Sequence, residues 1–220
     1  MSVRDHLSTL HKEIPPYVKI VAVSKTMPVE IIKEAYNAGQ RLFGENKSQE
    51  LLVKQPLLYH DIQWHFIGHL QSNKVKYLAP FITLIQSVDS LNLLKEINKE
   101  AIKNNRVIDC LLQFHIATEE TKYGLDREEA WNLLTNAEFA AMKHVNLIGV
   151  MGMASFTDDV SVIRKEFRNL KDIESCLRKD FFQSKPDFCE VSMGMTGDYL
   201  IAIEEGSTMV RIGSGIFGQR

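Results

Sequence analysis

The chain has 220 residues, 45% of them hydrophobic, which is enough for one large domain or two small ones with a full core. Its net charge of -2, with both signs interspersed, predicts no nucleic-acid partner. Three cysteines at unrelated spacings (Cys110, Cys176 and Cys189) indicate reduced thiols and not a disulfide framework. Residues 1–14 carry charges throughout, and no apolar run approaches the length of a membrane span. We therefore expect a cytoplasmic protein without membrane contact.

Short runs of apolar, largely β-branched residues recur along the chain, separated by longer segments with helical periodicity. The runs predict eight strands, near residues 19–24, 41–44, 63–66, 84–87, 108–114, 145–151, 187–191 and 209–212. The intervening patterns predict helices at 28–38, 90–104, 126–137 and 160–180, with an additional helix at 1–11 before the first strand. In the second of these helices, four apolar residues should share one side: Leu91, Leu94, Ile97 and Ile102.

Strands that alternate with helices are typical of a parallel sheet covered by helices. Eight such units in a chain of this length predict a closed (β/α)8 barrel of the TIM type. A doubly wound open sheet is the competing α/β fold. No Pro-, Gly- or Ser-rich linker and no internal repeat divides the sequence, so we predict a single barrel domain over residues 1–220.

The candidate functional residues fall where the predicted strands end, at the edge of a barrel that carries active sites. Lys25 follows the first strand, and Gly44-Glu-Asn46 follows the second. The last two strands run into turns rich in glycine and hydroxyl groups, Ser192-Met-Gly-Met-Thr196 and Gly213-Ser214. Backbone N–H groups and hydroxyls in such turns can converge on an anion, and these two strand ends are the usual phosphate site of such barrels.

A strand-end lysine that faces a phosphate cradle suits pyridoxal 5'-phosphate (PLP), which needs an amine for its aldehyde and donors for its phosphate. Burial at a barrel mouth would favour the neutral amine required for a Schiff base. The alternative is that Lys25 is an ordinary surface lysine, which is what we expect of Lys95, Lys99 and Lys103 on their helix.

Arg211 lies in an apolar strand, where an unpaired charge would be costly. It could form an internal ion pair with Glu190 or Asp198, or it could face the pyridine nitrogen of PLP. An arginine keeps its proton, so it would donate to an unprotonated ring nitrogen and weaken the ring as an electron sink.

Two other sequence patterns could suggest a metal site or a dinucleotide site. His60, His65 and His69 could suggest a metal site, but they span a strand-to-loop junction and have no acidic or cysteine partner nearby in sequence. The glycines in Gly213-Ser-Gly-Ile-Phe-Gly218 resemble a dinucleotide fingerprint, but no βαβ unit or acidic residue follows them. We therefore predict no metal and no dinucleotide.

The chain resembles the pyridoxal phosphate homeostasis protein family, a relative of the barrel domain of bacterial alanine racemase. Five segments carry the resemblance: Val21-Ala-Val-Ser-Lys-Thr26, Phe43-Gly-Glu-Asn46, Trp64-His-Phe-Ile-Gly-His-Leu-Gln-Ser-Asn-Lys74, Ser192-Met-Gly-Met-Thr-Gly-Asp198 and Gly206-Ser-Thr-Met-Val-Arg-Ile-Gly213. The sequence departs from the family pattern at two positions. Lys47 stands where an aromatic residue is usual, and Thr196 stands where serine is common.

The resemblance implies that Lys25 carries PLP as a covalent aldimine and that Arg211 faces the ring nitrogen. It implies a phosphate site at Ser192, Gly213 and Ser214. The predicted cofactor site is completed by Asn46 and Thr196.

Two functions of different class follow from the resemblance. The first is a non-catalytic PLP-binding protein of vitamin B6 and amino-acid homeostasis, which could hand PLP transiently to apo-enzymes. The second is a PLP-dependent amino-acid racemase, which needs an acid/base group on each face of the substrate. Alanine racemases take the second group, a tyrosine, from a separate β-domain that we expect this chain to lack, and Tyr123 is the obvious stand-in. Without that domain's dimer contacts, we expect a monomer.

A third possibility is a barrel aldolase that uses Lys25 without PLP. Its phosphate cradle would then bind a phosphosugar. The visible absorption of a PLP Schiff base would separate this possibility from the other two.

Overall fold

A computed structural model describes residues 2–118 and 123–218. In that part of the chain, eight parallel strands form a closed barrel in which each strand pairs with the next and the last pairs with the first. The strands are β1 (Lys19–Val23), β2 (Leu42–Glu45), β3 (Gln63–Phe66), β4 (Leu84–Val88), β5 (Ile108–Phe114), β6 (Val145–Gly152), β7 (Glu190–Met195) and β8 (Met209–Ile212). The (β/α)8 barrel is confirmed, and the open-sheet alternative is wrong.

Helices surround the barrel, and one of them precedes β1 as predicted. They are α1 (Val3–Glu13), α2 (Val29–Asn37), α3 (Ser48–Lys54), α4 (Val75–Leu78), α5 (Leu91–Lys103), α6 (Arg127–Leu134), α7 (Ala137–Ala140), α8 (Val160–Phe181), α9 (Tyr199–Glu204) and α10 (Ser214–Phe217). Helix α1 packs against α10, where His6 Nδ1 donates to the Ile216 carbonyl at 2.9 Å. Within the described residues, no helix combines the length and apolarity needed to cross a bilayer.

Helix α5 begins as the sequence predicts and buries Leu94 and Ile97 as expected, but it leaves Ile102 outside the core. The Ser90 hydroxyl caps it by accepting the Leu93 N–H at 3.3 Å, whereas Ile102 is 53% exposed. Ile102 lies five positions after Ile97, so the two side chains point about 140° apart around the helix axis. The placement of Ile102 on the buried side was therefore wrong.

Alternation along the strands divides the core into two regions. Outward side chains such as Ile20, Ala22 and Val210 pack in the large cluster that contains the helices. A smaller apolar cluster lies within the barrel: Val21, Leu84, Leu111, Met151 and Met209. Polar side chains also occupy the barrel interior. Four of them are buried and form a continuous chain of hydrogen bonds: His65, Gln86, Ser192 and Arg211.

The seventh strand starts and ends later than the sequence predicts. The expected strand covered 187–191, whereas β7 runs from Glu190 to Met195. The predicted strand ended at Val191, but Ser192 is fully buried and hydrogen-bonded inside the barrel, so the strand continues through it. A register shift against β8 follows, with Gly194 at φ +96°.

Candidate functional site

A cavity of about 790 Å³ opens at the carboxyl ends of the strands, the edge where barrel active sites lie. Six of the seven predicted site residues line it: Lys25, Asn46, Thr196, Arg211, Gly213 and Ser214. They come from β1, β2, β7 and β8 or from the loops that follow these strands. Strands β8 and β1 are paired neighbours, and therefore the two ends of the sequence meet at one site.

Lys25 is half-buried on the cavity wall, and its backbone neighbours are fixed from below by a buried ion network. Lys54 Nζ donates to the Ser24 carbonyl at 2.7 Å and to Glu45 Oε1 at 2.8 Å. Ser24 Oγ donates to the same Glu45 oxygen at 2.7 Å. The network therefore ties the end of β1 to the end of β2 directly beneath Lys25.

The residue after Lys25 is held by the same network. Thr26 has φ +64°, a left-handed conformation that is unusual for a residue other than glycine. Its N–H donates to Glu50, which also accepts from Lys54 Nζ at 2.6 Å. Lys25 thus projects from a backbone whose flanking residues are both hydrogen-bonded to the network.

The network is a buried salt bridge and costs desolvation to form. Glu45 is fully buried, and burial raises the pKa of its carboxyl, an effect that hydrogen bonds from Lys54 and Ser24 oppose. The Lys54 side chain is only 7% exposed. Replacing either Lys54 or Glu45 would leave the other charge unpaired in the interior. Together the two side chains fix the backbone position at the base of Lys25.

Neutral donors form the adjoining part of the cavity wall, at the ends of β7 and β8. Thr196, Gly213 and Ser214 lie there together. The Gly215 N–H donates to Thr196 Oγ1 at 3.3 Å, which links the two turns. Within the short α10, the Ile216 and Phe217 N–H groups both donate to the Gly213 carbonyl at 2.9 Å, so the N–H groups of this turn that have no acceptor within α10 are those of Ser214 and Gly215.

Ser192, which the sequence analysis expected in the phosphate cradle, is fully buried beneath the cavity and is not among the residues that line it. Its hydroxyl donates to Gln86 Oε1 at 2.6 Å and accepts from Arg211 Nη1 at 2.6 Å. Both interactions hold it inside the barrel. Thr196, four residues further on, and Ser214 are hydroxyl residues that do line the cavity.

Arg211 forms the floor of the cavity. Its Nη1 donates to Ser192, and its Nη2 donates to the Gly152 carbonyl at 2.9 Å. Burial lowers the pKa of the guanidinium to about 10, and the negative charge of Asp198 opposes that shift. Glu190, one of the two expected ion-pair partners, pairs with Lys19 instead. Arg211 therefore remains a cation at pH 7, with a pattern of donors fixed by neutral acceptors.

An aromatic and acidic group occupies another part of the cavity wall. Tyr123 stacks on His69 with ring centroids 4.1 Å apart, and His69 Nδ1 lies 3.2 Å from Asp89 Oδ2. Both rings line the cavity. Lys122, which precedes Tyr123 in the sequence, lies outside the described residues.

The histidines considered as metal ligands have separate partners. His65 lies inside the barrel against Gln86, whereas His69 pairs with Asp89 at the cavity wall. Over residues 2–118 and 123–218, no three His, Cys, Asp or Glu side chains are grouped closely enough to hold a metal ion.

Sequence reasoning missed Lys54 and Gln86. Lys54 had one signal, because it follows Ser48 and Leu51 at intervals of three and all three are buried on one side of α3. Gln86 had the signal of a polar residue within an otherwise apolar strand. Neither signal identifies the partner, since those partners come from other strands.

The sequence profile described as "Alanine racemase, N-terminal domain" matches residues 2–220. A pyridoxal phosphate homeostasis protein of Aquifex aeolicus is 42% identical over 92% of this chain and 87% of its own length. The structure of PipY from Synechococcus elongatus without PLP covers 99% of this chain and 100% of its own, at 32% identity and a TM-score of 0.92. PipY with PLP bound gives 31% identity, the same coverage and a TM-score of 0.89.

Alanine racemase from E. faecalis shares the fold alone, at 16% identity and a TM-score of 0.79, and the match covers 58% of the racemase chain. The fold and the lysine-bearing cavity thus define a barrel of the alanine racemase N-terminal type. Within that class, the chain belongs to the pyridoxal phosphate homeostasis protein family.

Proposed function

We propose that this protein binds PLP through a Schiff base on Lys25 and acts in intracellular PLP homeostasis without turnover of its own. The observation that carries the proposal is the convergence of one lysine, a set of neutral donors and an arginine on a single cavity. A related chain, PipY, has been crystallised with PLP bound, and the curated relatives are named for PLP homeostasis.

The chemistry of the cavity fits each part of PLP. Lys25 offers an amine for the aldehyde, and Thr196, Gly213 and Ser214 offer hydroxyl and backbone donors for the phosphate. Arg211 offers a donor that is permanently protonated at pH 7 for the pyridine nitrogen. Asn46 lies beside Lys25 on the wall and contributes a further polar group. Ser192 is assigned to Arg211 rather than to the phosphate.

Bound PLP supplies an electrophilic carbonyl carbon and a ring that can accept electrons. The chain's own residues determine how far that chemistry proceeds. Arg211 donates to the ring nitrogen without protonating it, so the ring remains a weak electron sink. The network of Lys54, Glu45 and Glu50 holds the backbone on either side of Lys25 in place. This combination favours retention of the cofactor over carbanion chemistry.

A racemase is the second candidate because Tyr123 and His69 line the same cavity as Lys25. Either side chain could act as the acid/base group on the second face of a substrate. Solvent-deuterium exchange at the α-carbon of alanine and serine tests this function. We expect at most trace exchange, whereas turnover of about 1–10³ s⁻¹, the usual enzymatic range, would establish the racemase and make Tyr123 the first residue to mutate.

The Schiff base is tested with Lys25→Ala. We expect the visible absorption band of the PLP-loaded protein to disappear, while far-UV circular dichroism remains unchanged. Lys74→Ala is the matched control, because Lys74 is a half-buried lysine at a neighbouring pocket that does not line the main cavity. A full band in Lys25→Ala would overturn the assignment. A colourless wild-type protein that binds a phosphosugar would favour the aldolase.

The wider functional setting is also part of the proposal. We propose that the whole chain acts as one domain, that it works as a monomer in the cytoplasm and that it passes PLP to apo-enzymes. The free state of Cys110, Cys176 and Cys189 supports a reducing compartment. Light scattering tests the monomer, and activation of an apo-enzyme by the PLP-loaded protein tests the transfer.

A further inference from the structure

A chain of hydrogen bonds runs through the barrel interior beneath the cavity. Arg211 Nη1 lies 2.6 Å from Ser192 Oγ, and Ser192 Oγ lies 2.6 Å from Gln86 Oε1. Gln86 Nε2 lies 3.0 Å from His65 Nδ1. The four residues come from β8, β7, β4 and β3, and each is at most 4% exposed. The chain therefore crosses the barrel from the cavity floor to the opposite wall.

The direction of donation along this chain is set by Arg211. A guanidinium has donors and no acceptor, so the Ser192 oxygen accepts from it. The Ser192 hydrogen is then directed to the Gln86 oxygen, which leaves the amide NH2 of Gln86 to donate to His65. If the amide were turned over, the Ser192 hydrogen would face an NH2 group, which cannot accept it. All three bonds are satisfied only when donation runs from Arg211 towards His65.

The last member of the chain must accept, and His65 can do so. Burial, aided by the positive charge of Lys19, lowers the pKa of the imidazole to about 3, so the ring is neutral at pH 7. Because Nδ1 accepts from Gln86, the proton of the neutral ring lies on Nε2. Every member of the chain beyond Arg211 is consequently uncharged.

We propose that Gln86 is a positioning residue, which holds the Arg211 guanidinium at the cavity floor through Ser192 and preserves its charge for the ligand. This inference rests on the proposed function, because it gives Arg211 the pyridine ring as its partner. An acidic residue in place of neutral acceptors would compete with the ligand for the same charge. Without Gln86, the Ser192 hydroxyl loses its acceptor and can rotate away from Arg211, which leaves the Gly152 carbonyl to hold the guanidinium through Nη2 alone.

Gln86→Leu tests the positioning role, and the choice of ligand separates it from phosphate binding. We expect the variant to bind PLP and pyridoxal about tenfold more weakly than the wild type, by the same factor for both, since the ring is common to the two ligands. Gln86→Glu keeps the side-chain size and an acceptor for Ser192 but adds a negative charge that competes for Arg211, so it should also weaken the binding of both ligands, which a role in packing alone would not predict. The matched control is Gln40→Leu, because Gln40 is equally buried but donates to the Ile20 and Leu42 carbonyls away from the cavity.

The tautomer of His65 provides a test that requires neither a variant nor PLP. Nitrogen-15 NMR of the wild-type apoprotein should show a neutral imidazole with its proton on Nε2 between about pH 5 and pH 8. A proton on Nδ1, or a charged ring, would overturn the direction of the chain and with it the proposal. Unchanged ligand affinity in Gln86→Leu, or a loss confined to PLP, would also overturn it.

The two proposals fail in different ways. A wild-type protein that shows no Schiff-base absorption with PLP refutes the proposed function, and the role of Gln86 towards the ring is refuted with it. A wild-type protein that binds PLP normally while Gln86→Leu binds both ligands equally well refutes the positioning role alone.

Discussion

His65 should make the stability of this protein depend on pH, and replacing it with leucine isolates the effect. The imidazole is fully enclosed in the barrel, and burial lowers its pKa to about 3. In the unfolded chain its pKa returns to about 6.5. Between these values the unfolded state takes up a proton and the folded state does not, so acid favours unfolding. The stabilising contribution is complete above about pH 6.5 and is lost as the pH falls towards 3.

The size of the effect follows from the two pKa values. One pKa unit corresponds to about 1.36 kcal/mol, so the stability lost between about pH 6.5 and pH 3 is about 5 kcal/mol in total. Between pH 7 and pH 5 it amounts to about 2 kcal/mol. Burial raises the pKa of Glu45 and Asp198, and those groups change stability with pH in the opposite sense. Glu45 and Asp198 are present in both proteins, so subtracting the unfolding free energy of the variant from that of the wild type cancels their contribution.

Urea unfolding of wild type and His65→Leu at pH 7 and pH 5 measures this difference. The substitution itself has a cost, because Gln86 loses its acceptor, but that cost is the same at both pH values. We expect the wild type to lose about 2 kcal/mol more than the variant on going to pH 5. Parallel pH profiles for the two proteins would show that His65 titrates normally in the fold, and the reasoning on its burial would be refuted.

Three further predictions concern the barrel and the cavity. Lys54→Met should destabilise the protein by about 3–5 kcal/mol in urea unfolding, because Glu45 would be left buried without its cation; an unchanged midpoint would contradict this. Gly149→Ala should prevent folding, as judged by circular dichroism, because its Cβ would lie 1.9 Å from the Glu190 carbonyl oxygen and φ is +157°. A folded variant would show that the two strands can separate. Thr196→Val should weaken PLP binding about tenfold to a hundredfold and leave pyridoxal binding unchanged in a calorimetric titration, and equal losses would exclude a phosphate contact.

The strands and their order could be predicted because each is a short apolar run with a helical pattern beside it. Three of the predicted strands have the observed bounds, those at 63–66, 108–114 and 209–212. Helix starts were equally clear where a capping residue marked them, as Ser90 does for α5. The prediction failed for β7, because the hydrogen bonds that make Ser192 a strand residue come from Gln86 and Arg211, which lie far away in sequence.

The residues of the cavity could be predicted for a related reason. The carboxyl ends of all barrel strands lie on one side, so a residue just after a strand reaches the same space whichever strand it follows. This rule places Lys25 and Gly213 at the cavity, as observed. It fails for Ser192, because the position of a residue relative to a strand end depends on where the strand stops, and one polar residue is not enough to stop it.

The layer beneath the cavity could not be predicted in the same way, although it determines what the cavity residues can do. Ser192 and Gly152 hold the two Nη atoms of Arg211 at the cavity floor, and Ser192 is bonded in turn to Gln86. On the other wall, Lys25 depends on a lysine 29 positions later in the sequence, in a helix that never reaches the cavity. In both cases a polar residue is buried at a cost that only its partners offset. A polar residue in an apolar strand or on the apolar side of a helix therefore predicts that it has hydrogen-bond or ion-pair partners in the interior. Which residues those partners are depends on how the barrel closes.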